Sequence, residues 1–143
     1  MKEALEGKQY LIFKVSGRLF AVSIGNIERI IPVDFVYKVP LSKPYFDGLV
    51  GMDKRAIPVF NVGDALGLKA VPEVGDSFLA VEHLQGADIG LLIPEVVAVA
   101  RIASREILDC ESPYPGVGQK VLWNGNEVNI LLAEQLVFGL ECD

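Results

Sequence analysis

Apolar residues in this chain come in short runs, cut by glycines, prolines and small charged clusters, with the two-residue alternation of β-sheet rather than a helical repeat. Residues 10–15 and 19–24 flank Ser16-Gly17-Arg18, and Gly17 can take the positive φ of a tight turn, so the first element is a hairpin. Asn26-Ile27-Glu28-Arg29-Ile30-Ile31 ends at Pro32 and reads as a further strand or a short helical turn. The β-branched and aromatic run 35–39 predicts a strand. Pro40 and Pro44 hold the next segment extended, and a strand should begin near Phe46. Asp53-Lys54-Arg55 then reverses the chain with its tip in water, and 56–60 returns. Pro58 has no N–H for a ladder, which predicts an edge position or a neighbouring bulge. Residues 64–68 predict one helical turn stopped at Gly67.

A short polar connection at 71–75 carries both Pro72 and Gly75, and beyond it the pattern starts again. Residues 78–81, 89–93 and 96–102 predict strands separated by Gln85-Gly86 and Pro94-Glu95. The segment 105–111 stays open between strand and coil, and 112–116, with two prolines, predicts a loop. Residues 117–123 and 128–132 flank Asn124-Gly125-Asn126, a strong type I′ hairpin signal, and 133–138 closes the chain as a short helix. Gly17, Ala21, Ile24 and Ile27 are echoed 69 positions later by Gly86, Gly90, Ile93 and Val96, and the run 52–60 aligns with 123–131 at an offset of 71. This internal repeat predicts an all-β chain of one domain. Its two five-stranded lobes span about 9–70 and 76–132, with a short helix after the first lobe and a C-terminal one at 133–138. Lobes this small can close into barrels, which removes exposed sheet edges.

With 51% hydrophobic and 22% charged residues, the 143-residue chain has the composition of a folded soluble domain. The longest weakly polar run, 89–103, is interrupted by Pro94, Glu95 and Arg101, so no membrane span is expected. The acidic N-terminus lacks the apolar centre of an export signal, which predicts a cytoplasmic protein. The net charge of −6 argues against nucleic acid. Its distribution is uneven, +3 over residues 1–70 and −9 over 71–143, so the two halves present different surfaces. Cys110 and Cys142 share no CxxC spacing and read as free thiols.

Catalytic chemistry finds no support. His83 is the only histidine and adjoins a predicted turn, where a solvated loop side chain is the ordinary reading. Gly116 and Gly118 lack the third glycine and helix of a dinucleotide loop, and no Gly-rich loop ends in Lys-Ser or Lys-Thr. Asp109 and Glu111 read as solvated charges beside a loop, and Trp123 as packing within a lobe. Neither a metal nor a cofactor is implied. A compact acidic β protein of this kind is expected to bind other proteins.

The order of an apolar strand, a glycine hairpin, Ile24, Ile27 and Ile30-Ile31, then Val39-Pro40, Pro44-Tyr45, Gly48-Leu49-Val50 and Ile57-Pro58-Val59, resembles the CheW-like domain of bacterial chemotaxis coupling proteins. Gly90-Leu91-Leu92-Ile93 with Val96, and Ile130-Leu131-Leu132 with Leu136, resemble its second half, so the similarity runs from about Tyr10 to Leu136. The resemblance implies two SH3-like five-stranded barrels with a groove between them. It also implies a non-enzymatic scaffold that joins chemoreceptor cytoplasmic tips to the regulatory domain of a CheA-type histidine kinase, in chemotaxis or a related two-component pathway, and is recruited to membrane receptor arrays. Several positions depart from the family pattern. Asp53 stands where an arginine is usual and Arg29 where a glutamate is common, while Asn61, Pro94 and Ala133 replace common aspartates. We expect Arg29 and Asp53 to face each other as an exchanged ion pair. The reversal points to a divergent receptor array or a non-flagellar pathway. Ile27, Arg29, Met52, Asp53 and Phe78 are the expected partner-binding residues, although Ile27 and Met52 serve equally well as core. A module holding a small ligand or a peptide in the inter-lobe groove is the alternative.

Overall fold

The computed structural model describes residues 7–39, 45–68 and 77–139. Eleven strands and two short helices follow in order: β1 Lys8–Val15, β2 Arg18–Ser23, β3 Ile27–Pro32, β4 Phe46–Met52, β5 Arg55–Asn61, α1 Val62–Ala65, β6 Phe78–Leu84, β7 Ala87–Ile93, β8 Glu95–Ile102, β9 Leu108–Asp109, β10 Val117–Trp123, β11 Asn126–Leu131 and α2 Ala133–Gly139. Single 3-10 turns occupy Ile24–Asn26 and Ser104–Glu106. Four hairpins reverse through two residues, each with positive φ at both positions: Ser16-Gly17, Asp53-Lys54, Gln85-Gly86 and Asn124-Gly125. That is the type I′ geometry whose twist matches the flanking strands. Glycine fills the second position in three of them; Lys54, at φ +65°, carries a side chain where a left-handed backbone disfavours one.

The strands form two sheets, ordered β8-β1-β2-β11-β10-β9 (sheet 1) and β3-β6-β7-β5-β4 (sheet 2). The two orders are the same order shifted by one repeat: β8 corresponds to β3, β1 to β6, β2 to β7, β11 to β5 and β10 to β4. Even the irregularities correspond. Glu28 of β3 and Val97 of β8 are both left unpaired by a register shift, as are Asp47 of β4 and Gly118 of β10. The predicted repeat is therefore a structural one, and each sheet is all-β with five main strands, sheet 1 gaining the two-residue β9.

Each sheet nonetheless draws on both halves of the chain. Sheet 1 takes the first hairpin together with β8 to β11, and sheet 2 takes β3 to β5 together with the hairpin β6–β7. The division expected at 71–75, which lies outside the described residues, is not where the sheets part. The chain changes sheet between β2 and β3 and again between β7 and β8. In each case a break (the 3-10 turn at Ile24–Asn26, the residue Pro94) redirects a strand that would otherwise pair with the preceding one.

Two local expectations are corrected. Residues 35–39 make only an isolated bridge, Tyr37 with Leu49, because Phe35, Tyr37 and Val39 are all exposed and gain no buried face from pairing. Pro58 lies on β5, an interior strand between β7 and β4 rather than an edge, although the expected neighbouring bulge is present at Asp47, one pair away. It is accommodated because Leu49, opposite it, turns both its N–H and its C=O outward to Tyr37, so position 58 directs its nitrogen toward β7, where pairing begins only at Val59. The helix predicted at 64–68 forms slightly earlier, over Val62–Ala65. The prolines at 40 and 44 lie outside the described residues.

The hydrophobic pattern explains the packing. β1 alternates between two cores: Tyr10 and Ile12 turn into sheet 1, while Leu11, Phe13 and Val15 face sheet 2. On β6, Leu79 and Val81 turn into sheet 2, and Ala80 and Leu84 face sheet 1. Strands buried on both faces read as continuous apolar runs, as these do. The layer between the sheets, completed by Phe20, Phe60, Leu91, Leu131 and Leu136, is the largest core among the described residues, and it packs the two sheets against each other.

Candidate functional site

The expected surface lies at one end of sheet 2. On β3, Ile27 pairs with Glu82 and Arg29 with Val81; the extra residue, Glu28, bulges out between them. Facing it is the Asp53-Lys54 turn. Although β3 and β4 stand at opposite ends of the strand order, the sheet curls enough for Arg29 Nη1 to reach Asp53 Oδ2 at 3.1 Å. The expected exchange of charges across the lobe is thus present as a contact. Both side chains remain about half exposed, 48% and 56%, so the pair orients the surface more than it stabilises the fold.

A second set of charges adjoins it. Arg55, just after the turn, donates from Nη2 to Glu28 Oε2 (2.7 Å) and from Nη1 to Asp88 Oδ2 (2.8 Å). The His83 ring lies between the same carboxylates, with Nε2 2.9 Å from Glu28 Oε1 and Nδ1 against Asp88. Hydrogen bonding from Arg55 is the main reason the Glu28 carboxyl sits below its ordinary range, and the same bond raises the Arg55 guanidinium. Glu28, His83 and Asp88 place their ligand atoms within 4.8 Å of one another, the kind of set that holds a metal. Here the Arg55 guanidinium already bonds both carboxylates, so the protein itself satisfies the cluster.

The remaining expected residues do not form one surface. Met52 is 6% exposed and belongs to the core of sheet 2, out of reach of a partner. Ile27 is half-buried against the layer between the sheets. Phe78, 36% exposed, opposes Pro32 at the far end of β3. The structure therefore brings together Arg29 and Asp53 and separates them from Phe78. Glu28, Arg55 and Asp88, which sequence reasoning passed over, and His83, expected as a solvated loop side chain but placed on β6 between two carboxylates, complete the charged face. One signal was available: a two-residue turn at Gln85-Gly86 sets His83 directly opposite Asp88. The reach of Arg55 to Glu28, 27 positions away, had no local signature.

Comparison with known proteins identifies the family of this fold. The family model for the CheW-like domain matches residues 9–138. The chain belongs to the CheW-like domain family. Members of this family are scaffold proteins and not enzymes. The chemotaxis protein CheW of Thermotoga maritima is 26% identical over 107 residues, covering 75% of this chain and 70% of that protein. The CheW of Bacillus subtilis is 23% identical over 115 residues, covering 80% and 72%. Among solved structures, the crystal structure of the scaffolding protein TtCheW from Thermoanaerobacter tengcongensis superposes with a TM-score of 0.82 at 17% identity, covering 91% of this chain and 87% of that one. The repeated two-sheet architecture is thus a CheW-like fold. Within it Asn61 has a clear local use: its Oδ1 accepts from the Asp64 N–H to cap α1, and its Nδ2 donates to Asp47. Among the described residues no helix is long and apolar enough to cross a membrane.

Proposed function

We propose that this chain is a cytoplasmic coupling scaffold in bacterial chemotaxis or a related two-component pathway. It joins a chemoreceptor's cytoplasmic tip to the regulatory domain of a CheA-type histidine kinase and is recruited in this way to receptor arrays. The CheW-like match across residues 9–138 carries the reading. In this role Arg29 and Asp53 form the centre of a partner-binding face, with Ile27 supporting it from below, Met52 holding the turn from the core and Phe78 extending it. Two features support the assignment. The pair is exposed on a bulged edge, and the turn beside it keeps a non-glycine residue at a strained position, a pattern concentrated at functional sites. The reversed signs of Arg29 and Asp53 fit a partner whose own charges are reversed, as in a divergent or non-flagellar pathway. The alternative module needs a ligand-sized groove between the lobes; the apolar packing of the layer between the sheets, among the described residues, favours the scaffold reading over it.

Pull-down of the chain with a CheA regulatory domain and a receptor-tip fragment from the same organism tests this directly. Both should bind; Arg29→Glu should weaken capture of at least one of them, and the double swap Arg29→Glu with Asp53→Arg should not restore it to the native level. Binding to neither partner would end the scaffold reading in this form.

A further inference from the structure

One member of the charged face depends on a proton for its contacts. Two side chains meet the same two carboxylates. Arg55 donates from Nη2 to Glu28 Oε2 and from Nη1 to Asp88 Oδ2, while the His83 ring turns Nε2 to Glu28 Oε1, at 2.9 Å, and Nδ1 to Asp88 Oδ1. A ring that meets carboxylate oxygens through both nitrogens needs a proton on each, because neutral imidazole has one donor and one lone pair. With His83 charged, two cations match two anions and every contact is attractive. With His83 neutral, one carboxylate oxygen faces a lone pair and the set is left with an excess negative charge.

These contacts lie where the backbone has least hold on the face that carries Arg29 and Asp53. Glu28 is the bulge residue, left without a ladder partner, and Arg29 follows it directly. Asp53 stands two residues before Arg55. Because β3 and β4 are at opposite ends of the strand order, the placing of Arg29 against Asp53 rests on side chains that cross between them. Sheet 1 repeats the bulge at Val97 with Lys14 in the place of His83, Leu19 for Asp88 and Asn126 for Arg55, so the backbone forms without the cluster. We propose that His83 is a positioning residue of the partner-binding face and makes partner capture sensitive to pH. Protonated, its ring ties the β3 bulge to β7 and holds Arg29 against Asp53. As pH rises through the histidine range, about 5 to 8, one tie is lost and the bulge loosens. The effect on partners rests on the scaffold reading; the coupling within the face does not.

Among the described residues, the charged groups that meet the ring or its partners are Glu28 from β3, Asp88 from β7 and Arg55 from β5. Hydrogen bonding from Arg55 holds the Glu28 carboxyl below its ordinary range, so Glu28 stays an anion across this window. Glu82, the neighbour of His83 on β6, also titrates here: burial first, and the Glu134 charge second, push its carboxyl up to about 7. It is buried on the opposite face of the strand, where its counterpart one repeat earlier is Phe13. A variant at each position separates the two.

His83 is the only histidine of the chain, so its ring signals are unambiguous in NMR. The native chain, His83→Gln, His83→Lys and Glu82→Gln are titrated from pH 5 to pH 8, and capture of the CheA regulatory domain and the receptor-tip fragment is measured at pH 6 and pH 8. Near-UV circular dichroism checks that each variant is folded. The Glu28 amide and the Arg29 side chain should follow the ring's midpoint in the native chain and in Glu82→Gln, and lose that transition in His83→Gln. The partner whose capture Arg29→Glu weakens should be held about threefold less well at pH 8 than at pH 6. His83→Lys, charged throughout, should keep the stronger capture at both. Arg29 signals that ignore the ring, a transition that persists in His83→Gln, or native capture equal at the two pH values would each overturn the proposal. If neither partner binds, the scaffold reading fails, and the NMR titration still decides whether His83 positions Arg29.

Discussion

The two sheets share a strand order, a pair of corresponding bulges and the same hairpins, but they finish those hairpins differently. In sheet 2 the β4–β5 turn is Asp53-Lys54, and around it Arg29, Glu28, Arg55, His83 and Asp88 join β3, β5, β6 and β7 by ion pairs. The corresponding positions in sheet 1 are Asn124-Gly125 in the turn, Ala98 and Val97 on β8, Asn126 on β11, Lys14 on β1 and Leu19 on β2. Only Lys14 is charged, and it pairs outside this set with Glu95, at 3.7 Å. One backbone is thus built twice, once with a charged cluster and once almost without. The fold does not need the cluster, and in the proposed role this lobe carries the partner-binding face.

The largest test of the comparison concerns how each sheet covers its last strand. The β9 strand lies along β10, where the Gln119 side chain bonds Asp109, whereas β4 is covered by the bridge at Tyr37. The counterpart of Gln119 is Gly48, at φ +154°, where an added Cβ would lie 2.2 Å from the Tyr37 carbonyl oxygen. Gly48→Ala should therefore cost about 3 kcal/mol or more in urea unfolding, by forcing the Tyr37 bridge away. A cost near zero would show that the bridge contributes nothing to sheet 2.

Next in size is the asymmetry between Phe13 and Glu82. The folded state holds the Glu82 carboxyl at about 7, above its ordinary 4.5, so it binds more protons than the unfolded chain between those values. Stability from this group is complete below about pH 4.5 and is lost as pH rises through 7, by up to about 3 kcal/mol. Glu82→Gln should flatten that slope, and an unchanged slope would place its cause elsewhere. Glu28, whose carboxyl is lowered by Arg55, works in the opposite sense: its contribution is present above the ordinary carboxyl range and is lost on acidification. Arg55→Met should remove that acid limb.

Smaller effects address the turns. Lys54→Gly gives sheet 2 the turn chemistry of sheet 1 and should stabilise it by about 1 kcal/mol, visible as a raised urea midpoint. Weakened partner capture in the same variant would tie the strained residue to binding. The Arg29–Asp53 coupling should be the smallest quantity, below about 1 kcal/mol in a double-mutant cycle and fading in high salt. A larger coupling would make the pair structural.

Much of this protein was determined locally. Gly17, Gly86 and Gly125 mark tight turns because only a residue without Cβ enters the left-handed region cheaply, and a two-residue turn fixes the register of both strands it joins. Hairpins and repeat were legible for that reason, whereas the Arg29–Asp53 opposition was expected from the two signs reversed against the pattern of the family it resembles. Sheet membership was not. An apolar strand is satisfied by either sheet, and the choice rests on contacts far apart in sequence: Leu11 with Val99, Val59 with Gly90, Val128 with Leu19. The burial of Glu82 and the grasp of Arg55 on Glu28 and Asp88 follow from that exchange of hairpins. Sequence patterning settled which residues turn and which alternate, because those are properties of neighbours. Tertiary structure decided which charges meet and which one is buried, because that depends on which half of the repeat each strand leaves to join.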